Sequence, residues 1–244
     1  MSDGIWSAAS GAIGQVTALD VAAENVANAS TPAYHGDRAV FREVLTRATA
    51  KKHGGFNLKY GAIGAIATDH TAGAFTVTGR PLDVAIKGDG FLVVSTKQGE
   101  RYTRNGSLQV TRAGALVTHD GDAVLGADRR PIKVAPDAQV SIGTDASVHS
   151  AGVQNGELLV VRFANPAGLA KEGAFLMRAD PAAGKGAVVP GEVEPGSLEG
   201  SNVSAVKGMV DIVSASRAFE VCERVIDAFR DADRRAAIDV MTVK

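Results

Sequence analysis

Apolar residues recur at alternating spacings of three and four from residue 205 to the end of the chain, a stretch without proline. This spacing is typical of a long amphipathic helix with one apolar seam. The predicted assembly seam consists of Ile212, Ala215, Phe219, Cys222, Ile226, Phe229 and Val240, interrupted by Gly208 and Asp233. A second apolar row lies beside it, at Val206, Val210, Val213, Val221, Val225, Ala228 and Ala232. The helix is therefore predicted to contact more than one neighbour.

The same spacing occurs at the other end of the chain. Ser2 or Asp3 can cap a first helix, and Pro32 disfavours helix at the residue before it. The seam predicted for this helix consists of Ile5, Ala9, Ala12, Val16, Leu19, Ala23 and Val26. Two matched terminal seams predict that the helices form a coiled-coil pair.

Between the helices the apolar period changes from about 3.6 to two. Short alternating runs are separated by turn signals such as Gly88-Asp89-Gly90 and Asp120-Gly121-Asp122, which predicts a mainly antiparallel β domain. The predicted class is α+β, with the β domain inserted between the helices. The boundaries are residues 1–32 for the N-terminal helix, 33–73 for an irregular or extended arm, 74–197 for the β domain and 198–244 for the C-terminal helix.

Charge and composition exclude several classes of protein. The chain has 26 Lys and Arg against 27 Asp and Glu, a net charge of −1, so no nucleic-acid partner is expected. The first basic residue is Arg38, which predicts that no cleavable secretory signal is present. No run of eighteen apolar residues occurs, so membrane insertion is not expected.

The residues that usually carry chemistry form no recognisable pattern. The five histidines are scattered, without the pairwise spacing of a metal site, and no nucleophile with a base can be proposed. Cys222 falls on the helical seam, where a small buried apolar role is expected. We predict no catalytic, cofactor-binding or metal-binding residues and no enzymatic activity.

Four sequence motifs resemble the bacterial flagellar rod and hook protein family. They lie at residues 27–34, 78–91 and 102–107, and at 198–203 followed by 217–220. The residues that carry the resemblance are Asn28, Thr31, Pro32, Tyr34, Asp83, Gly88, Gly90, Phe91, Tyr102, Thr103, Arg104, Gly106, Glu199, Ser201, Asn202 and Arg217. Ala33 stands where the family usually has glycine, which puts a positive φ at residue 33 in doubt.

The resemblance implies a structural subunit of the periplasmic basal-body rod, exported by the flagellar type III apparatus. Such a subunit would polymerise with its own copies and with other rod proteins into a helical tube that transmits torque and carries the export channel. The motifs are most similar to those of the proximal rod, and a distal-rod or hook-type subunit is the alternative. A different class is also open, in which the helices only trimerise a surface or adhesive β module.

Overall fold

The structure is a computed structural model that describes residues 2–47, 57–135 and 138–242. Two long helices stand at either end of the sequence, α1 at Ser2–Ala27 and α2 at Ala205–Thr242. The Ser204 hydroxyl caps α2, where it accepts a hydrogen bond of 3.4 Å from the Lys207 N–H. With many antiparallel strands between the helices, the α+β class is confirmed.

Eighteen short strands are found in the described part of the chain. They are β1 Asp37–Arg47, β2 Asn57–Thr68, β3 Phe75–Val77, β4 Val84–Ile86, β5 Gly90–Thr96, β6 Gly99–Thr103, β7 Leu108–Val110, β8 Leu116–Thr118, β9 Ala123–Val124, β10 Val140–Ile142, β11 Ser147–Ser150, β12 Val153–Glu157, β13 Val160–Arg162, β14 Leu169–Glu172, β15 Leu176–Ala179, β16 Ala187–Val188, β17 Val193–Pro195 and β18 Ser197–Glu199.

The chain divides into two compact units. The first contains α1, α2 and the strands β1 and β2. The second contains the described parts of residues 28–36 and 68–203.

In the first unit, α1 and α2 contact each other. A Cβ atom placed on Gly4 would lie 2.5 Å from Cζ of Phe229, and one placed on Gly208 would overlap Cγ2 of Val26. The start of α1 therefore lies beside the later part of α2, and the helices run antiparallel. Glycine allows this approach because it has no side chain at the contact.

The seam residues of α2 lie on its more protected side. Ala215 is buried, and Ile212, Phe219, Cys222, Ile226 and Phe229 are half-buried. Gly208, which interrupts the seam, is buried against Val26, and Asp233 is half-buried. The side chain of Val240 lies outside the described residues.

The contact face of α1 differs from its predicted seam. Ala12 is buried and Ile5, Ala9, Leu19 and Val26 are half-buried, but Val16 and Ala23 are exposed. The other buried positions of α1 are Gly14, Val21 and Ala22. In this Ala-rich helix the close contacts pass through small residues rather than through the largest apolar side chains.

Residues 33–73, for which an irregular or extended arm was predicted, contain regular structure. Strands β1 and β2 form a two-stranded sheet, which we call the ribbon. Valine, threonine and phenylalanine in β1, and isoleucine and tyrosine in β2, favour this extended conformation.

The second unit is built around one large antiparallel sheet. Its strands follow the order β14-β15-β6-β5-β9-β8-β7, and β13 pairs with both β5 and β16. Strand β5 is central, and its side chains alternate between two hydrophobic cores. Leu92 and Val94 enter the larger core, whereas Phe91 and Val93 enter the smaller one. The remaining strands form a three-stranded sheet, β10-β11-β12, and the pairs β17-β4 and β18-β3.

The close contact at Gly208 can be tested with Gly208→Ala in the full chain. The added methyl group would overlap Val26, and overpacking of this kind costs about 1–3 kcal/mol. The higher helix propensity of alanine offsets about 1 kcal/mol of that cost. We expect a net loss of helix stability, measured by thermal unfolding followed by circular dichroism.

Gly11→Ala is the matched control, because its Cβ would lie 3.5 Å from Sγ of Cys222, an ordinary contact. This variant should be as stable as the wild type, or more stable by up to about 1 kcal/mol. Equal stabilisation by both substitutions would contradict the close packing at Gly208.

Candidate functional site

A buried carboxylate, Glu199 on β18, lies at the centre of a polar site in the second unit. Its Oε2 accepts a hydrogen bond of 2.7 Å from Nε of Arg104, and its Oε1 accepts one of 2.9 Å from the Gly73 N–H. Nε2 of His35 lies 3.5 Å from Oε1. The Glu199 residue is 1% exposed. We call this group, with the contacts described below, the Glu199 junction.

Arg104 uses its remaining donors on backbone carbonyls. Nη1 donates to the carbonyls of Gly88 and Gly90, at 2.9 and 2.8 Å, and Nη2 donates to that of Ile86 at 3.3 Å. The guanidinium carbon also lies 5.7 Å from the centre of the Phe91 ring. A buried ion pair is tolerated only when its other polar atoms have partners, and these carbonyls supply them.

The surroundings of Glu199 keep its carboxyl group ionised. Burial is the largest influence and alone would raise its pKa. The His35 ring, the Arg104 charge and the Gly73 N–H act in the opposite direction, and together they lower the pKa below the ordinary glutamate value. The carboxylate is therefore an anionic anchor at neutral pH.

The segment from 28 to 36, which follows α1 in the sequence, is held in this junction. The Ala33 N–H donates to the Glu199 carbonyl at 2.8 Å, and the Tyr34 side chain is fully buried. Lys171 of β14 places Nζ 3.8 Å from the centre of the Tyr34 ring and donates a 2.7 Å hydrogen bond to the His35 carbonyl. Nδ1 of His35 lies 2.9 Å from the Asp69 carbonyl, so it is the donor there.

The positive φ that was in doubt at residue 33 is present. Ala33 has a φ of 55°, the left-handed conformation that glycine adopts without strain. This conformation costs an L-residue roughly 1–2 kcal/mol. The residue is buried and its N–H is bonded to Glu199, so the surrounding contacts hold it there.

Asn202, just before α2 in the sequence, is hydrogen-bonded to two other stretches of backbone, residues 34–36 and 69–71. Its Oδ1 accepts from the Gly36 N–H at 2.8 Å, while its Nδ2 donates to the carbonyls of Asp69 and Thr71 at 2.8 and 2.9 Å. Its own N–H donates to the Tyr34 carbonyl at 3.2 Å. The motif asparagine is thus a backbone connector.

The junction unites residues from all four motifs, namely Tyr34, Gly88, Gly90, Phe91, Arg104, Glu199 and Asn202. Other motif residues make local contacts. Four of them form local hydrogen bonds: the Thr31 hydroxyl donates to Asn28, Asp83 accepts from the Thr78 hydroxyl, Thr103 accepts from the Asn105 N–H, and Ser201 accepts from the Val203 N–H. The Tyr102 ring packs edge-on against Phe163. Gly106 has no room for a side chain beside Val84. Pro32 is half-buried, and Arg217 is exposed on α2.

Several members of the junction were not predicted as site residues. His35, Lys171 and Gly73 lie outside the residues that carry the family resemblance, and no spacing rule connects them. His35 is 136 positions from Lys171, so only the folded chain brings the two together.

The first unit carries a second candidate surface, made of apolar side chains that the helix pair leaves exposed. We call these side chains the uncovered rows. The name covers Trp6, Ile13 and Val16 on α1 and Val206, Val210, Val213, Val221 and Val225 on α2; Met209 and Ile238 of α2 are also exposed. Trp6 is 74% exposed and Val206 is 75% exposed. Exposed apolar surface of this extent usually marks a protein interface.

Across residues 2–47, 57–135 and 138–242, no group of three or more His, Cys, Asp or Glu side chains is arranged to hold a metal ion. No helix in the described part of the chain combines the length and apolarity needed to cross a bilayer.

Replacing the junction carboxylate by an amide, Glu199→Gln, should strongly destabilise the second unit at neutral pH. Removing one member of a buried ion pair costs about 3–5 kcal/mol, because the Arg104 charge stays buried without its partner. The lowered pKa means that the ionised carboxylate stabilises the fold above the unfolded-state value of about 4.3, and that this contribution is lost as the pH falls through the folded-state value. The difference between variant and wild type should therefore shrink in acid, as measured by urea unfolding at several pH values.

Glu194→Gln is the control, since Glu194 forms a half-exposed ion pair with Lys87 at 3.6 Å. Its loss should cost less than about 1 kcal/mol. Equal losses for the two variants, or a Glu199→Gln effect that does not change with pH, would contradict the role of the junction.

Comparison with known proteins places these features in a family. A family model for flagella basal body rod proteins matches residues 5–35, one for the D1 domain of the flagellar hook proteins FlgE/F/G matches residues 85–152, and one for the C-terminal part of the flagellar basal body rod proteins FlgEFG matches residues 194–238. The first and third of these matches include most of α1, the Tyr34 segment, Glu199, Asn202 and most of α2.

Curated relatives match along most of their length. The chain is 33% identical to the flagellar basal-body rod protein FlgG of Bacillus subtilis, covering 91% of this chain and 93% of the relative. It is 36% identical to FlgG of Agrobacterium fabrum, covering 95% of both chains, and 34% identical to FlgF of Escherichia coli, covering 97% of both. Relatives named FlgF and FlgG fall in the same range of identity, so the comparisons establish the family that the two share. The chain belongs to the flagellar basal-body rod protein family.

Proposed function

We propose that this chain is a structural subunit of the flagellar basal-body rod that polymerises through α1 and α2. In this proposal the two helices act as a coiled-coil pair and form the helical assembly domain, while the second unit is the independently folded β domain. The observation that carries the proposal is the pair of uncovered rows.

The uncovered rows give assembly a driving force. Complete burial of a valine side chain contributes roughly 1.5–3 kcal/mol, so a few such residues supply much of the free energy of a stable contact. The five valines of α2 recur over about five turns of the helix, which suits them to pack along a neighbouring helix.

The seam and the uncovered rows have different roles in this proposal. The α2 seam faces α1 within one chain, whereas the rows are covered only when neighbours arrive. If a row on one subunit meets a different surface on the next, the contact is heterologous and does not close on itself. Repetition of such a contact produces a helical tube, which would carry the export channel and transmit torque.

Assembly would also complete the folding of the helices. A monomer in solution leaves the rows in contact with water, so its helices gain less from burial than those of an assembled subunit. We expect the helices to become more ordered when neighbours cover them, which couples part of the folding to polymerisation.

The proposed partners are further copies of the chain and the other subunits of the rod. Export by the flagellar type III apparatus and a position in the proximal rod stay predictions from the sequence motifs, with the distal rod as the alternative position. The role is mechanical, and we propose no catalytic step.

A double substitution, Val213→Lys with Val221→Lys, tests the rows in the full chain. Both valines are more than half exposed, so the free energy of unfolding should change by less than about 0.5 kcal/mol for each substitution. Charged side chains cannot be buried without a partner, so polymerisation should be lost. Urea unfolding measures the stability of the variant, and sedimentation with electron microscopy detects its polymers. Swimming of the bacterium that encodes the chain reports rod function.

Glu223→Lys is the control, because position 223 is an exposed polar site near Val221 on the same helix. This variant should polymerise and support swimming. The proposal fails if the double variant still polymerises and supports swimming, or if the wild-type chain forms a closed trimer that does not extend.

A further inference from the structure

The side chain of Asn25, in the last turns of α1, is hydrogen-bonded to the first residue of the ribbon. Nδ2 of Asn25 donates to the Asp37 carbonyl at 2.6 Å, and Oδ1 accepts from the Asp37 N–H at 2.9 Å. A single amide group thus bonds both backbone polar groups of the residue at which β1 begins. All of these atoms belong to the first unit.

This geometry requires an amide at position 25. One atom of the side chain must donate and the other must accept, and asparagine offers both on one planar group. An aspartate would place a carboxylate oxygen beside the Asp37 carbonyl, where two acceptors repel each other. An alanine would leave both backbone groups without these bonds.

The ribbon needs such an attachment. An isolated two-stranded sheet is at best marginally stable in water. The described part of the ribbon also exposes Val40, Phe41 and Ile66, so these side chains contribute little burial to hold it in place. Fixing its first residue to a helix removes part of the conformational freedom that would otherwise loosen it.

We propose that Asn25 is the positioning residue of the ribbon and makes its placement depend on the folding of the last turns of α1. The amide stands correctly for Asp37 only when residue 25 is helical. When this end of α1 is unfolded, the ribbon loses its fixed starting point. The attachment acts within one chain and does not depend on the polymerisation proposed above.

Asn25→Ala separates this role from a general effect on stability. Alanine has a higher helix propensity than asparagine, so α1 should become slightly more protected while β1 becomes less protected. We expect amide hydrogen exchange in residues 37–47 of the monomeric full chain to accelerate by about ten- to a hundredfold, as for the loss of two partly buried hydrogen bonds. Exchange measured by mass spectrometry reports both segments in one experiment.

Asn25→Asp should accelerate exchange in the same residues, because it keeps the acceptor and replaces the donor. Ala23→Asp is the control, since it adds the same charge at an exposed position two residues away. This control should leave exchange in β1 unchanged. Unchanged exchange of residues 37–47 in Asn25→Ala would overturn the proposal, and so would an equal increase in α1, β1 and the second unit.

Discussion

The ion pair between Glu199 and Arg104 is the constraint on which the second unit depends. Both residues are almost completely buried, so an unpaired charge at either position would oppose folding. The pair is compensated only when Gly73, Gly88 and Gly90 bring their backbone groups to it. The charges of Glu199 and Arg104 therefore find their partners only after several distant segments have reached their places.

The order of those segments in the sequence gives the junction its importance. Arg104 and Glu199 are 95 positions apart, and Gly36 lies 166 positions from its partner Asn202. Contacts over such separations carry a loop-closure cost and form late unless other structure brings them together. The large sheet provides part of that structure, because the pairing of β5 with β6 places Arg104, which follows β6, beside the Gly90 carbonyl at the start of β5. The residues that follow α1 and those that precede α2 are thereby fixed within one compact unit.

The sequence predicted most where the signal is local. The seam of α2 follows from helical periodicity, and its described members all lie on the more protected side of the helix. On α1 the same periodicity predicts Val16 and Ala23 as seam residues, but both are exposed. The contacts of this helix involve glycine and alanine, and an apolar pattern gives these small residues little weight. Residues 33–73 show only a weak apolar pattern, so the sequence alone did not separate strands from an irregular arm. The motifs identified Arg104 and Glu199, but no periodicity could show that they touch.

The two units differ in how far they bury their apolar side chains. In the second unit, the central strand β5 contributes side chains to cores on both of its faces, and the charges of Glu199 and Arg104 find partners inside the same unit. In the first unit, the described α2 seam residues are buried or half-buried, whereas the uncovered rows are exposed. A subunit that must exist before it polymerises benefits from this division. In the proposed assembly, the second unit would fold before polymerisation, and burial of the uncovered rows by neighbouring subunits would supply the free energy of assembly.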